Sequence, residues 1–461
     1  MDPFTTPHDE VLLAGVKPEH ETQEEMIIRL LKQHQHNVRI YETGQKYYDN
    51  KNDIKDRDVP KNAEGVPDYD KPDWRITHPI HANLVDQKVG HALTNPVSFK
   101  HKDESVTKKI NELLGYEFDD DLNDIFIASS NKGIEWLHPF VNEDGEFKFM
   151  QIPAEQIVPI YADRKERELE AVIRSYTYER ERRVEYWTKE DVTYYIYLDN
   201  RLHLGWYHGM DESNPTTHLD DVSWGRVPFI PFKNNSQAVG DIWRYKALID
   251  AMDNQTSNVQ NTFDEATELI YVLKGYEGEN LSTFMRNLKH YKAINVDGDG
   301  GVDTIQIEVP VKSSNEWLEQ LRKYIYDYGR GIDFQRQSLG NSPSGIALRF
   351  LYSDLDLKVK DLIRKAIPSI KQLLWFVFEF SDDNGEIANE VEISFSINRM
   401  VNELEQSQIA SMSQTLISQD TIIENHPWVS DLEGEKERME SEDDRIDTEL
   451  PIKGVEDDEL E

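Results

Sequence analysis

Four acidic side chains, Asp297, Asp299, Asp303 and Glu308, fall at the first, third, seventh and twelfth places of a window, the spacing at which a loop of hard oxygen ligands wraps calcium. Two places argue against an ion: Val302 stands where the tight turn needs glycine, and Gly301 offers no side-chain oxygen at the fifth, so a hairpin turn is expected. His78, His81 and His91 could offer imidazoles to a metal, but Pro79 separates the first two and no acidic partner stands at ligand spacing. They are read as packing or surface histidines. Asn341, Ser342, Pro343, Ser344 and Gly345 ahead of an apolar helix resemble a phosphate cradle, yet the Gly-Lys-Ser/Thr ending of a nucleotide loop is missing. Glu135, Glu143 and Asp144 make no acid–base pair with anything nearby and are read as surface carboxylates. No catalytic residue, metal or cofactor is therefore expected.

Composition points the same way. The 461 residues carry a net charge of −37, which argues against gripping nucleic acid through phosphate neutralisation, although not against enclosing it. Hydrophobic residues make up 38% and charged residues 30%, polar for a compact globule and suited to an extended subunit that meets neighbours. Without cysteine there are no disulfides or thiolate metal sites. No apolar run approaches the roughly 20 residues that span a bilayer, and the acidic N-terminus lacks a signal peptide's layout. A soluble, intracellular protein is expected.

The element around which the chain is organised is a predicted helix over 241–272. Ile242, Tyr245, Ile249, Met252, Thr256, Val259, Phe263, Ala266 and Ile270 recur at alternating steps of three and four with no Gly or Pro among them. Such a helix would be roughly 45 Å long and must lean on another along most of its length. Its other faces, including Asp250, Asp253, Asn254, Asn258, Asn261 and Asp264, are polar and could face water. A second helix is predicted from a cap at 313–316 through Trp317, Leu321, Tyr324 and Tyr328 to Gly329. Between them, 290–309 reads as a hairpin whose return strand alternates Ile305, Ile307 and Val309 against polar residues.

Upstream, 24–41 reads as an amphipathic helix followed by a turn at Tyr47-Tyr48, 61–73 as a loop, and 78–90 as a second helix. From 133 to 204 the period falls to two, with strands near 147–153, 169–178, 183–187 and 192–198. Downstream, a helix starting at Ser342 or Ser344 continues through Leu355, Val359, Leu362 and Ile370, with a kink expected at Pro368. A strand at 390–397 and helices at 402–416 and from 419 follow, and from Asp431 onward 15 acidic residues face 4 basic ones.

Phe232-Lys233-Asn234-Asn235 with Leu248-Ile249-Asp250, and Ser344-Gly345-Ile346-Ala347-Leu348 with Leu355-Asp356-Leu357-Lys358, are the most specific of several stretches, Ile152-Pro153-Ala154-Glu155-Gln156 among them, that together resemble the portal proteins of tailed bacteriophages, of the siphophage, head-to-tail connector type. The likeness runs over about residues 20–440 in a consistent order. Asp253-Asn254 departs from it, standing where many relatives place an aromatic residue.

The resemblance implies an α+β, mainly helical portal fold with long stem helices, a β-rich wing insert, a β-hairpin clip and a helical crown. The implied segments are a wing with N-terminal helices over 1–235, a first stem helix over 236–272, a clip over 273–311 and a second stem helix over 312–332. A tunnel loop over 333–345, a long kinked helix and wing return over 346–395, a crown over 396–440 and a disordered acidic tail over 441–461 complete the chain. It further implies a ring, of about twelve copies in this family, passing double-stranded DNA at one capsid vertex of the virion for packaging and ejection. Its partners would be the large terminase, the major capsid and scaffold proteins and a head-completion or adaptor protein, after assembly in the host cytoplasm. Gln335, Arg336, Gln337 and Asn341 would touch DNA from the tunnel loop; Ile249, Met252, Val259, Phe263, Trp317, Leu321 and Tyr324 would build the stem; Asp297, Asp299, Ile305 and Ile307 would dock partners at the clip. A ring of about twelve copies would carry on the order of −440 charges, a wall that repels the duplex rather than holding it. Two other readings are a capsid-scaffolding or adaptor protein and an acidic metal-dependent nuclease.

Overall fold

Thr22 opens the first helix with a reciprocal cap: its hydroxyl accepts the Glu25 N–H at 3.3 Å while Glu25 Oε2 accepts the Thr22 N–H at 3.0 Å. In this computed structural model, helix α1 runs Gln23–Tyr48, so the double tyrosine forms its last turn and not a turn beyond it. Tyr47 explains the extension, because its ring is fully buried on the helix face and its hydroxyl donates to Asp250, 203 residues away. The structure describes residues 21–162, 168–205, 215–219, 222–266, 270–274, 290, 301–305, 311–335, 345–397, 403–413 and 416–424, with 426, 429, 434–436, 438 and 439.

Helix α2 (Ile80–Ala92), strand β1 (Ser98–Lys100), α3 (Glu104–Leu114) and α4 (Phe118–Lys132) follow. Helix α4 ends on Gly133, whose φ of 100° suits glycine alone. There the side-chain period falls to two. Strands β2 (Ile134–Val141) and β3 (Phe147–Ile152) pair antiparallel; β4 (Ile157–Tyr161), β5 (Leu169–Tyr178), β6 (Glu181–Trp187), β7 (Asp191–Leu198) and β8 (Arg201–Leu204) form an antiparallel meander. Strand β9 (Thr216–Thr217) joins the start of β7, and β10 (Ile230–Lys233) returns to the free edge of β2. Two tight turns shape the meander: Glu179 and Arg180 have φ of 46° and 73°, and Asp199 and Asn200 have 48° and 63°, the paired left-handed residues of two-residue hairpins.

Alternation along β5 assigns its faces. Ala171 and Ile173 point to α1, where Met26, Ile27, Leu30 and Leu31 cover them, while Val172 joins Trp136, Ile152, Trp187 and Phe229 on the other side. Glu135 is 0% exposed, so its reading as a surface carboxylate is corrected; β2 is the central strand of its sheet, and Lys132 lies 2.8 Å from the buried carboxylate. Glu143 and Asp144, in the turn after β2, are exposed as expected.

The helix expected over 241–272 is three elements. A 3₁₀ turn covers Asp241–Arg244, Tyr245 adopts φ −143°, helix α5 covers Lys246–Ala266, and strand β11 covers Ile270–Lys274. Tyr245 breaks the helix because its ring is drawn into the core, where its hydroxyl and His81 Nδ1 share a 2.8 Å hydrogen bond. Strand β11 pairs antiparallel with β12 (Gly301–Ile305), from Ile270 opposite Ile305 to Lys274 opposite Gly301. The return strand pairs with 270–274; the expected partner 291–296, with Asp297, Asp299 and Ile307, lies outside the described residues, and of Ile305 the backbone is described.

Helix α6 spans Val311–Gly329, beginning before the expected cap at Ser313; Ser314 is buried inside it and its hydroxyl accepts from Gln255 Nε2 of α5 at 3.4 Å. Helix α7 (Gly345–Phe380) continues through Pro368, and β13 (Glu392–Ser394) pairs antiparallel with β1. The chain divides into two compact units, residues 1–333 with 355–397 and residues 334–354 with 398–461. The second contains the start of α7, helices α8 (Glu403–Ser413) and α9 (Gln419–Glu424), and a Lys436–Asp420 ion pair at 2.9 Å. No described helix is long and apolar enough to cross a membrane.

Candidate functional site

The antiparallel pair α5 and α6 is the candidate site. Ile249 and Met252 of α5 meet Leu321, Ile325 and Tyr326 of α6 in one cluster, joined by Tyr47, Ile80, Leu84, Ile242 and Tyr245 at the root of the pair. Burial follows the helix faces: Ile249 and Leu321 are enclosed, Val259 and Tyr324 are half-buried, and Phe263 and Trp317 are 40% and 49% exposed. Trp317, Tyr324 and Tyr328 recur at steps of seven and four, making a stripe beside the buried seam of α6. The Tyr324 and Tyr328 rings stack 5.9 Å apart at 6°, with Tyr328 54% exposed.

The polar positions of α5 do not simply face water. Asp253 and Ser257 are fully buried, under an extended strap formed by 74–78. Asp253 Oδ1 accepts the His78 N–H at 3.0 Å and its Nδ1 at 2.7 Å, Ser257 Oγ accepts the Ile76 N–H at 2.9 Å, and Asn261 Oδ1 accepts the Trp74 N–H at 2.8 Å. The two periods match: two extended residues advance about 6.6 Å and four helical residues about 6.0 Å, so every second strap amide meets every fourth side chain. Asp264 ends the stripe by accepting Trp74 Nε1 at 2.5 Å. The strap leaves Asn254 and Asn258 as exposed polar positions of α5.

Ion pairs root the hairpin. Lys246 bridges Asp53 at 2.5 Å and Asp250 at 2.8 Å, tying the start of α5 to the turn after α1. At the end of α6, Arg322 grips Asp333 through two 2.8 Å bonds, and the Gln87 side-chain amide pairs with Ile332 N–H and C=O at 2.9 and 3.0 Å. Between them lies a buried cluster: Lys88 Nζ donates to Ser130 Oγ at 3.0 Å, to Asp241 Oδ2 at 3.1 Å and to Asn234 Oδ1. Lys358 Nζ lies 2.9 Å from the same Asp241 oxygen and donates to the Gly329 carbonyl at 2.8 Å. Burial alone would raise the Asp241 carboxyl, but Lys358, Lys88 and the Asn234 amide outweigh it and hold it well below the usual carboxylate range. Burial pushes Lys88 down to about 8 against the pull of Asp241.

The histidines considered as ligands are hydrogen-bonded within the fold: His78 to Asp253, His81 to Tyr245 and His91 to Asp356. Among the described residues no group of three or more potential ligands is placed to hold a metal. Of the expected tunnel-loop residues, Gln335 is described as an exposed turn residue, while Arg336, Gln337 and Asn341 lie outside the described residues.

Burial lowers His81 to about 3 and His138 to about 4; His138 Nδ1 donates to the Pro228 carbonyl at 2.6 Å. The unfolded chain takes up these protons near pH 6.5 while the folded chain rejects them, so stability falls as pH drops from 6.5 toward 4. Glu135 acts oppositely. Burial raises it to about 7 against Lys132, so the fold gains a proton there between pH 7 and 4.5. His138→Phe is expected to flatten the acid loss, removing on the order of 3 kcal/mol of it, and Glu135→Gln to steepen it. Urea midpoints measured at pH 7, 6, 5 and 4 check both signs.

Residues 28–449 match the family described as phage portal protein, SPP1 Gp6-like. Over 452 residues the chain is 34% identical to the portal protein of Bacillus phage SPP1, covering 94% of this chain and 89% of that one. Over 418 residues it is 32% identical to the portal protein of Clostridium phage phiCD119, covering 87% and 91%. It is also similar to a chain in a solved neck of a native GTA particle computed with C12 symmetry, at 10% identity and TM-score 0.43, covering 75% of this chain and 88% of that one.

Proposed function

The chain belongs to the SPP1 Gp6-like family of phage portal proteins, and on that premise we propose that copies of it close into a ring whose hole is the channel for double-stranded DNA at one capsid vertex. The scaffolding and nuclease readings are not favoured. The observation that carries the ring is the ridge of Trp317, Tyr324 and Tyr328, which the chain's own second stem helix displays beside a seam already filled by the first. A neighbouring copy is the occupant that a ring supplies at every such ridge.

In this reading α5 and α6 are the stem, the excursion between them is the clip, the sheets and the helices around them are the wing, and the segments over 396–440 are the crown. Stem residues Ile249, Met252 and Leu321 hold the two rods together, while Val259 is half-buried and Phe263 and Trp317 are exposed. Gln335, Arg336, Gln337 and Asn341 make brief polar contacts with the passing backbone, which suits a channel that must not hold its cargo. Asp297, Asp299, Ile305 and Ile307 serve the clip, docking first the large terminase and later a head-completion protein. The wing meets capsid and scaffold proteins. The work is structural, so the energy for translocation comes from the terminase, and assembly takes place in the host cytoplasm.

Oligomeric state tests this reading. Trp317→Ser combined with Tyr328→Ser is expected to leave the monomer's unfolding midpoint within about 0.5 kcal/mol of the parent, since both positions are exposed. The same pair should weaken ring assembly at least about tenfold, measured by native mass spectrometry across a dilution series. Unchanged assembly would remove the ridge from the interface.

A further inference from the structure

Asp241, Lys88 and Lys358 join parts of the chain that sequence holds far apart. Asp241 opens the way into the first stem helix, Gly329 ends the second, Lys88 sits on α2 and Lys358 on α7. The three charged side chains are 2%, 1% and 6% exposed, so water screens none of them. Two ammoniums against one carboxylate would leave one uncompensated positive charge in the interior. The helix ends supply the balance: Lys358 donates to the last carbonyl of α6 at 2.8 Å, and Lys88 donates to Ser130 near the C-terminus of α4 at 3.0 Å. Helix C-termini carry about half a negative charge each, so two of them offset the excess. Asp241 has both oxygens engaged, because Asn234 Nδ2 donates to Oδ1 at 3.0 Å while the lysines share Oδ2.

We propose that this balanced cluster is a lock that seats both stem helices on the wing, with Lys358 as the positioning residue that ties the outgoing helix at Asp241 to the returning helix at Gly329. Packing joins the two rods to each other, and the charged cluster adds ties from both roots to α2 and α7. One ammonium reaching both ends makes their roots a single piece. In a ring, the lean of the stem at its root decides whether neighbouring ridges meet, so the lock sets the geometry for assembly.

Charge arithmetic distinguishes a lock from ordinary core packing. Asp241→Asn leaves two buried ammoniums facing each other and is the most damaging single change within the cluster. Adding Lys358→Met to it removes one of them, so the double variant is expected to be more stable than Asp241→Asn alone, an interaction opposite in sign to additive damage. Lys358→Met alone is expected to raise backbone amide exchange at least about tenfold at 246–252 and 325–332, leaving strands β5 to β7 unchanged. Lys358→Arg, which keeps the charge but not the point geometry, should recover part of that protection.

The measurements are denaturant midpoints for the four variants and hydrogen exchange on Lys358→Met, which keeps the Lys88–Asp241 pair if Asp241→Asn fails to fold. Rescue of Asp241→Asn by Lys358→Met, with exchange gained at both stem roots, supports the lock. Additive losses, or exchange that rises evenly through the unit, overturn it. Assembly alone rests on the ring reading; amide exchange reports the lock even in a chain that forms no ring.

Discussion

Gly44→Ala is expected to destabilise the chain by at least about 3 kcal/mol, although Gly44 lies inside a helix where alanine is normally the better residue by about 1 kcal/mol. The reversal comes from one carbonyl. A Cβ at Gly44 would lie 1.9 Å from Asn131 O and 2.7 Å from Asn131 C, atoms of the α4 backbone that cannot swing aside as a side chain could. Asn131 O is confined from a second direction, since a Cβ at Gly240 would stand 2.2 Å from it. Relief therefore needs α1 to move off α4, which loosens the layer beneath the β4–β8 sheet. Gly90 is the control, inside α2 with nothing within 4 Å of its would-be Cβ, so Gly90→Ala should gain roughly 0.5–1 kcal/mol. Paired urea titrations with unchanged slope give both signs; a mild loss at Gly44 would show that the two helices are less tightly set than their backbones indicate.

Asp253→Ala is the second large effect. The carboxylate accepts from Asn52 Nδ2 at 2.6 Å and from His78 N and Nδ1 at 3.0 and 2.7 Å, and both Asp253 and Asn52 are fully buried. Removing it strands three donors, an expected cost on the order of 3 kcal/mol, whereas Ser257→Ala strands one amide and costs about 1 kcal/mol. The strap should also loosen in order, with amide exchange at 74–78 rising more for Asp253→Ala than for Ser257→Ala. Equal, small effects at the two positions would mean that the strap lies on the stem without holding to it.

The seam between α5 and α6 was legible because burial there follows the helical period: Ile249 and Met252 face Leu321 and Ile325 as the three-four alternation requires. The start and end of the first rod were not. Tyr245 fits the alternation perfectly well, and what takes it out of the helix is a hydrogen bond to His81, 164 residues earlier. Ile270 also fits, yet 270–274 is a short apolar run that a strand can use equally, and the partner at 301–305 decided the outcome. The polar stripe of Asp253, Ser257, Asn261 and Asp264 could be seen as spacing, but the strap that answers it belongs to a loop with no pattern of its own.

The lock was the least legible feature. Lys88 looks like any surface lysine of an amphipathic helix, and Glu135 like any exposed acid; each is buried because its counter-charge arrives from another element. Lys132 lies 2.8 Å from Glu135 and only three residues away, a pairing that sequence could have suggested, whereas Asp241 and Lys358 stand 153 and 270 residues from Lys88. Long-range charge matching leaves no local period. The family resemblance, by contrast, rested on turns and helix starts, such as Phe232-Lys233-Asn234-Asn235, and two residues it singled out prove structural: Asn234 belongs to the lock, and Asp250 accepts from Tyr47 and Lys246.

Electron cryo-microscopy of the purified full chain bears most directly on whether it forms a conduit. The expected image is a closed annulus, its hole wide enough for a duplex, with α5 and α6 of every copy standing side by side around the axis and the Trp317 ridge against the next copy. Particles without rotational symmetry, or a closed globule with that helix pair in its interior, would contradict the account.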